Sequence, residues 1–182
     1  MQVDYPRFVF FPLSHRPPAW TRGIIELFTT SRERIDTKRG LQKKSDDVLA
    51  ILRPGLENLK FLVEKGKKAA DRLQRPVLFE EMGRPGHKYE IDAYQEENKI
   101  VLEVEAGRTT KGNEIYRDLI HMSLMVDADF AVIAMPLAYR HKGREETIVE
   151  VPSYDYGKKL LEAIYASGRL QLPFKGILLT GY

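Results

Sequence analysis

Two neighbouring segments carry acids where a strand would not need them. Residues 87–94 read HKYEIDAY and residues 100–108 read IVLEVEAGR. Side chains alternate along a strand, so Glu103 and Glu105 share a face while Leu102, Val104 and Ala106 take the other. In the earlier segment Glu90, Asp92 and Tyr94 share a face. A hairpin with Glu97-Asn98 as its two-residue loop, Asn taking the positive φ, opposes Glu96 to Lys99, Asp92 to Glu103 and Glu90 to Glu105. Opposed residues have Cβ atoms about 4.5–5.5 Å apart, and like charges there repel unless a cation lies between them. Mg2+ commonly takes one or two carboxylates and keeps water and substrate phosphate as its other ligands. Such an ion polarises a phosphate, lowers the pKa of an attacking water and neutralises the leaving oxygen. Asp92 and Glu103 are therefore candidate metal ligands, with the Val104 carbonyl as another. Glu105 is a further ligand or the base that orients the water. Apolar-in, polar-out alternation on a solvated sheet accounts equally for any one of these acids. Against it, no Lys compensates the glutamates on their strand face, and the strand runs into Ala106-Gly107-Arg108, where backbone can approach a ligand.

These residues need elements to hold them. Residues 7–12 form a short strand or an apolar arm, and the Pro17-Pro18 pair breaks the chain. Residues 20–36 are helical, with Ile24, Ile25, Leu27 and Phe28 recurring on one side. The basic stretch 37–44 is a loop, and Ser45 caps a helix whose first turn holds Asp46 and Asp47. Pro54-Gly55 should kink or divide that helix. Strands are expected at 60–65, 75–81, 87–94 and 99–107, then a largely covered helix at 110–127. Its stripe is Ile115, Leu119, Met122 and Val126, widened by Tyr116, Ile120 and Leu124. The run DFAVIAMP fits an interior strand of the kind parallel sheets bury, ended by proline. A weak strand at 146–151, a helix from Tyr154 to Ser167 stopped by Gly168, and a closing strand FKGILLTGY follow. The order implies α/β with a central mixed β-sheet flanked by helices. One domain spans 1–182: an N-terminal arm and helix (1–44), a core (45–136), and a C-terminal helix and strand (137–182).

With these elements in place, the chain resembles the PD-(D/E)XK, or restriction-endonuclease-like, nuclease superfamily. That signature is an acid on one strand, acid-x-Lys on the next, then a helix and a further strand. Here it maps onto Asp92, Glu103-Val104-Glu105, helix 111–127 and DFAVIAMP, over residues 45–136. Glu105 stands where the family has Lys, and Ile91 where it has Pro. The resemblance implies a restriction-endonuclease-like core, a Mg2+ or Mn2+ cofactor and hydrolysis of DNA phosphodiester bonds. It also leaves room for a member that no longer cuts. An acid from the first helix is implied too, and Glu57 is the candidate.

Arg108, and Arg117 with Asn113 and His121 at i, i+4 and i+8 on the following helix, are candidates to hold the scissile phosphate. The alternative is the polar stripe of an amphipathic helix, with Arg117 paired to Glu114 or Asp118. Lys38, Arg39, Lys43 and Lys44 are candidates for contact with DNA backbone, as Arg140, His141, Lys142 and Arg144 are in a second basic loop; solubility explains these runs as well. Net charge is +3, with Lys and Arg concentrated at 32–44 and 60–75 and acids at 80–105. A basic rim around an acidic centre suits a metal-dependent enzyme on nucleic acid, though two solvated surfaces of opposite sign read the same way. With no cysteine, disulfides and thiolate metal sites are excluded. The apolar FVFF is too short for a secretory segment and no stretch approaches a membrane span, so a cytoplasmic chain without a membrane partner is expected. No Walker, HExxH, GxSxG or GxGxxG motif is present. Three functions compete: the nuclease; the same fold as a nucleic-acid-binding or assembly module with a lapsed site; and, last, a glycosidase using Glu103 and Asp92. A homodimer would suit double-strand cutting.

Overall fold

The computed structural model describes residues 5–107, 113–142 and 147–182. Three strands are apolar almost throughout: β6 (Ile100–Val104), β7 (Phe130–Met135) and β10 (Gly176–Gly181). A strand with no polar face must be covered on both sides, and these three form the parallel centre of a six-stranded mixed sheet. Antiparallel strands flank them. β1 (Arg7–Phe11) pairs with β10; on the other side β5 (Ala93–Gln95) pairs with β6, and β2 (Phe61–Val63) pairs with β5. The order is β1-β10-β7-β6-β5-β2.

Helices cover both faces. α1 (Thr21–Thr30) and α3 (Ser45–Asn58) bury Ile24, Phe28, Val48, Leu49, Leu52 and Leu56 against Leu102, Val104, Val132 and Leu178. Between them lie the short α2 (Arg32–Ile35) and a 3-10 turn, Thr37–Arg39. α4 (Glu114–Ser123) crosses from β6 to β7, and α5 (Ser153–Ser167) from β7 towards β10. Both crossovers advance the same way along the sheet, which for one hand of connection puts both helices on one face. There Ile115, Leu119, Met122, Leu161 and Ile164 meet Tyr94, Val101, Ile133, Ile177 and Leu179. Two ribbons lie outside the sheet. β3 (Leu73–Pro76) pairs with β4 (Lys88–Ile91), and β8 (Tyr139–Lys142) with β9 (Ile148–Val151). No helix among the described residues is long and apolar enough to cross a membrane.

Several expectations change. α3 runs unbroken through Pro54, and Gly55 serves packing: a Cβ there would lie 2.2 Å from Leu27 Cδ1 of α1. Lys44, not Ser45, is the N-cap of α3, with no side-chain cap bond. The strand expected at 75–81 is displaced to Leu73–Pro76; proline at 76 and 85 withdraws donors, leaving an isolated Phe79–Pro85 bridge beyond it. The segment 87–94 is two strands, broken at Asp92. Positive φ in the following turn falls on Lys99, at 52°, and Asn98 Nδ2 instead donates to Gln95 Oε1 at 2.8 Å. α4 ends at Ser123, and its expected start before residue 113 lies outside the described residues. Tyr116, Ile120 and Leu124 are not covered: they face an open apolar groove of about 240 Å³ shared with Leu160, Leu170 and Leu172, and Val126 is exposed as well. The second basic loop is instead strand β8 as far as Lys142, with Arg144 outside the described residues.

The far end of β6 is anchored by Tyr182. Glu105 N donates to Ala134 O at 2.8 Å, but Pro136 has no N–H to continue the parallel ladder. The buried Tyr182 hydroxyl donates to the Glu105 carbonyl instead, while Tyr182 N donates to Met135 O at 2.9 Å. Tyr182→Phe removes that donor and should lower stability by about 1–3 kcal/mol, the cost of a buried acceptor left unpaired. Thermal unfolding of the variant beside the native chain measures it.

Candidate functional site

Register builds the site. β5 and β6 pair Ala93 with Leu102 and Tyr94 with Val101. One step further, Asp92 stands across from Glu103, the pairing expected from the sequence. β2 and β5 pair Val63 with Ala93, so one step further Glu64 stands across from Asp92. Glu64 N donates to Asp92 O at 2.8 Å, which holds that alignment. Three adjacent strands thus end on Glu64, Asp92 and Glu103, on the face whose previous row is the apolar pair Tyr94 and Val101.

Asp92 is held at both ends. A continued β5 would offer a backbone carbonyl to Val104 N; the chain instead swings away to pair β4 with β3. Asp92 Oδ2 takes the place of that carbonyl and accepts from Val104 N at 2.7 Å. The same departure removes Glu90 from its expected position opposite Glu105. Glu90 pairs across the ribbon with Gln74 and accepts from the Arg72 guanidinium.

α4 adds a further acid. Asp118 is buried; Arg117 Nε donates to its Oδ1 at 3.0 Å and Arg117 Nη2 lies 3.0 Å from the same oxygen, while Oδ2 has no donor among the described residues. Asp118 and Glu105 lie within hydrogen-bonding reach of one another once one is protonated, and Glu103 and Asp92 stand likewise. Burial pushes Asp92 up to about 6; the Val104 N–H opposes that shift, and Glu64 adds to it. Burial, then the charges of Asp92, Asp118 and Glu105, holds Glu103 well above the usual carboxylate range. Burial and Asp118 raise Glu105 to about 9. Glu64 is raised chiefly by burial, against the opposing charge of Lys67. Among the described residues, cations reach this cluster only from its rim: the side chains of Arg117 and Lys67 are 60 % and 69 % exposed.

Two clefts meet over the acids. One, of about 510 Å³, runs past His87, Tyr89 and His121. The other, of about 640 Å³, runs past Lys43, Lys44, Gly107 and Tyr139. Asp92, Glu103, Arg117, Asp118 and Lys67 line both. Of the sequence-derived candidates, Asp92, Glu103, Val104, Glu105, Arg117, Lys43 and Lys44 come together here. Others do not. Glu57 is exposed on α3 and lines a separate cleft near Phe61 and Arg72. Lys38 is paired with Glu150 at 2.9 Å, and Arg39 with Glu33 and Asp36. Asn113 is an exposed N-cap in left-handed conformation that lines neither cleft. Arg108 lies outside the described residues.

Asp118, Glu64 and Lys67 belong to the site without having been singled out. Asp118 had a readable signal: it falls at i+3 from Ile115 and i−4 from Met122, so an acid occupies the apolar stripe of the helix. Glu64 is visible only once the β2–β5 register is known. Lys67 lies in an irregular connection between strands, where no periodicity marks it. Among the described residues, no group of three or more His, Cys, Asp or Glu is arranged to hold a metal ion. The carboxyls are directed at one another in pairs. The Asp92–Glu103 pair still fits an ion of the Mg2+ type, which needs only one or two carboxylates.

Comparison with known proteins finds no matching family model and no matching curated protein.

The raised pKa values have a consequence for stability. The folded chain retains protons that the unfolded chain has lost, so stability falls as pH rises through the window from the ordinary carboxylate range to about 9. In chelator, the melting temperature should therefore drop between pH 5 and pH 9. Glu105→Gln, which cannot ionise, should melt above the native chain at pH 9, and this advantage should vanish at pH 5. Differential scanning fluorimetry across pH reads both.

Proposed function

We propose that the chain is a Mg2+- or Mn2+-dependent endonuclease with a restriction-endonuclease-like core, cutting DNA phosphodiester bonds. The observation that supports it most is the meeting of Asp92 and Glu103. Adjacent strands bring these acids within hydrogen-bonding reach in a cleft, desolvated, with the described cations, Arg117 and Lys67, at the rim. The order of elements agrees: acid strand, acid-x-acid strand, helix, parallel strand. Asp92 and Glu103 would hold the metal. The Val104 carbonyl would assist, since an extended residue turns its N–H and C=O to the same edge, and the Val104 N–H faces Asp92. The ion supplies charge neutralisation at the phosphate and a water of lowered pKa. The protein supplies position. The Val104 amide fixes the Asp92 carboxylate. Glu105 receives the proton of a water attacking in line with the leaving oxygen, sharing it with Asp118. Arg117, with Arg108 beyond the described residues, meets the phosphate oxygens; Lys67, Lys43 and Lys44 meet backbone phosphates along the clefts.

A supercoiled plasmid and a single-stranded circle, each incubated with Mg2+ or Mn2+, test this reading. The native chain should cut; Asp92→Ala and Glu103→Ala should reduce cutting to background. Arg117→Ala should slow it about ten- to a hundred-fold, corresponding to the loss of one charge-assisted hydrogen bond of about 1.5–3 kcal/mol. A second reading, a nucleic-acid-binding module with a lapsed site, draws on Glu105 at the lysine position and on the paired, proton-sharing carboxyls. Pure native chain that binds DNA with either metal but does not cut it would establish that reading. Cutting that survives both alanine variants would refute the site.

A further inference from the structure

The wall of the first cleft carries rings where a purely electrostatic site would carry cations. Tyr89 on β4 and His121 on α4 are stacked, with centroids 4.1 Å apart and planes 15° from parallel. His87, just before β4, meets Tyr89 edge-on at 4.9 Å. All three line the cleft that contains Asp92, Glu103, Arg117 and Asp118. Tyr89 is half-buried against the core, which fixes the stack, while His87 is exposed. His121 follows Arg117 by one helical turn, a rise of about 6 Å along the axis. Gln74 and Lys88 complete this end of the cleft, with polar groups for a nucleotide's sugar and phosphate.

We infer that this stack is a nucleobase platform and that the substrate presents unpaired bases: a single strand, a loop or a frayed end. The inference rests on the nuclease reading and narrows it. With a phosphate on Arg117 at the carboxylates, a base of the same or the adjacent nucleotide reaches His121 only if it has left its own stack. A duplex base turns its face to its neighbours, and extruding it costs stacking and pairing. An unpaired base has no such cost, and aromatic side chains take up any base by its π-face. The stack crosses from the β3–β4 ribbon to α4, so a purely structural tie between these elements is the competing account.

Oligonucleotides decide between them. A DNA strand carrying 2-aminopurine, alone and annealed to its complement, is titrated with native chain in Ca2+ and monitored by fluorescence. The single strand should bind about ten-fold more tightly than the duplex, with quenching of the probe by stacking. His121→Ala should abolish the quenching and erase most of the preference. His121→Phe, which keeps a ring, should retain both. Equal affinity for single strand and duplex overturns the platform and leaves the nuclease reading intact, as does a His121→Ala variant that weakens both alike while melting at lower temperature. Failure of the native chain to bind either form overturns the nuclease reading itself.

Discussion

The site depends on one residue doing the work of a strand. Asp92 closes the ladder of β5 with its backbone carbonyl, which accepts from Glu64 N, and closes the side of β6 with its carboxylate, which accepts from Val104 N. Because the side chain satisfies the Val104 amide, the backbone is free to leave. β4 then pairs with β3 outside the main sheet, and the space it vacates is the cleft. An unpaired buried amide would cost about 1–3 kcal/mol, so the position calls for an acceptor of this reach. A carboxylate meets that need and brings a charge, which in turn requires the rest of the site.

That charge explains the distribution of polar groups on this face. Below Asp92 and Glu103 the face is apolar and closed by Tyr94, Val101 and the α4 stripe. Above them it opens to solvent along two clefts. Carboxylates at such a boundary keep enough access for a substrate and too little water to be fully ionised, hence the raised values of Asp92 and Glu105. Asp118 tightens the same constraint from the helix side. Its pairing with Arg117 satisfies one oxygen and leaves the other without a donor among the described residues.

Much of this was legible in residue spacing, for particular reasons. The β5–β6 register follows from the turn, so the opposition of Asp92 and Glu103 could be written down from the sequence. The interior place of β7 follows from its unbroken apolar run. What escaped depends on contacts between distant segments. The bend at Asp92 leaves no mark on alternation, because HKYEIDAY alternates through it. Glu57 had the right element and the wrong face, while the acid that joins the row, Glu64, lies just past β2 and is located only by pairing with β5. Tyr116, Ile120 and Leu124 match helical periodicity yet stay open, since α5 packs beside α4 without covering that side.

Glu105 carries the remaining chemical argument. A lysine there would place a positive charge between Glu103 and Asp118 and would relieve the crowding directly. A glutamate adds to it, and burial, with the neighbouring Asp118, pushes Glu105 up to about 9, so that it tends to keep a proton. In its protonated form it cannot accept a proton from water. A divalent ion on Asp92 and Glu103 would change the sign of the local field, lower the pKa of Glu105 and turn it into a base. On the proposed nuclease reading, Glu105 would act as a base only with the ion in place. Metal binding and loss of the Glu105 proton would then be coupled, and affinity for such an ion would rise with pH.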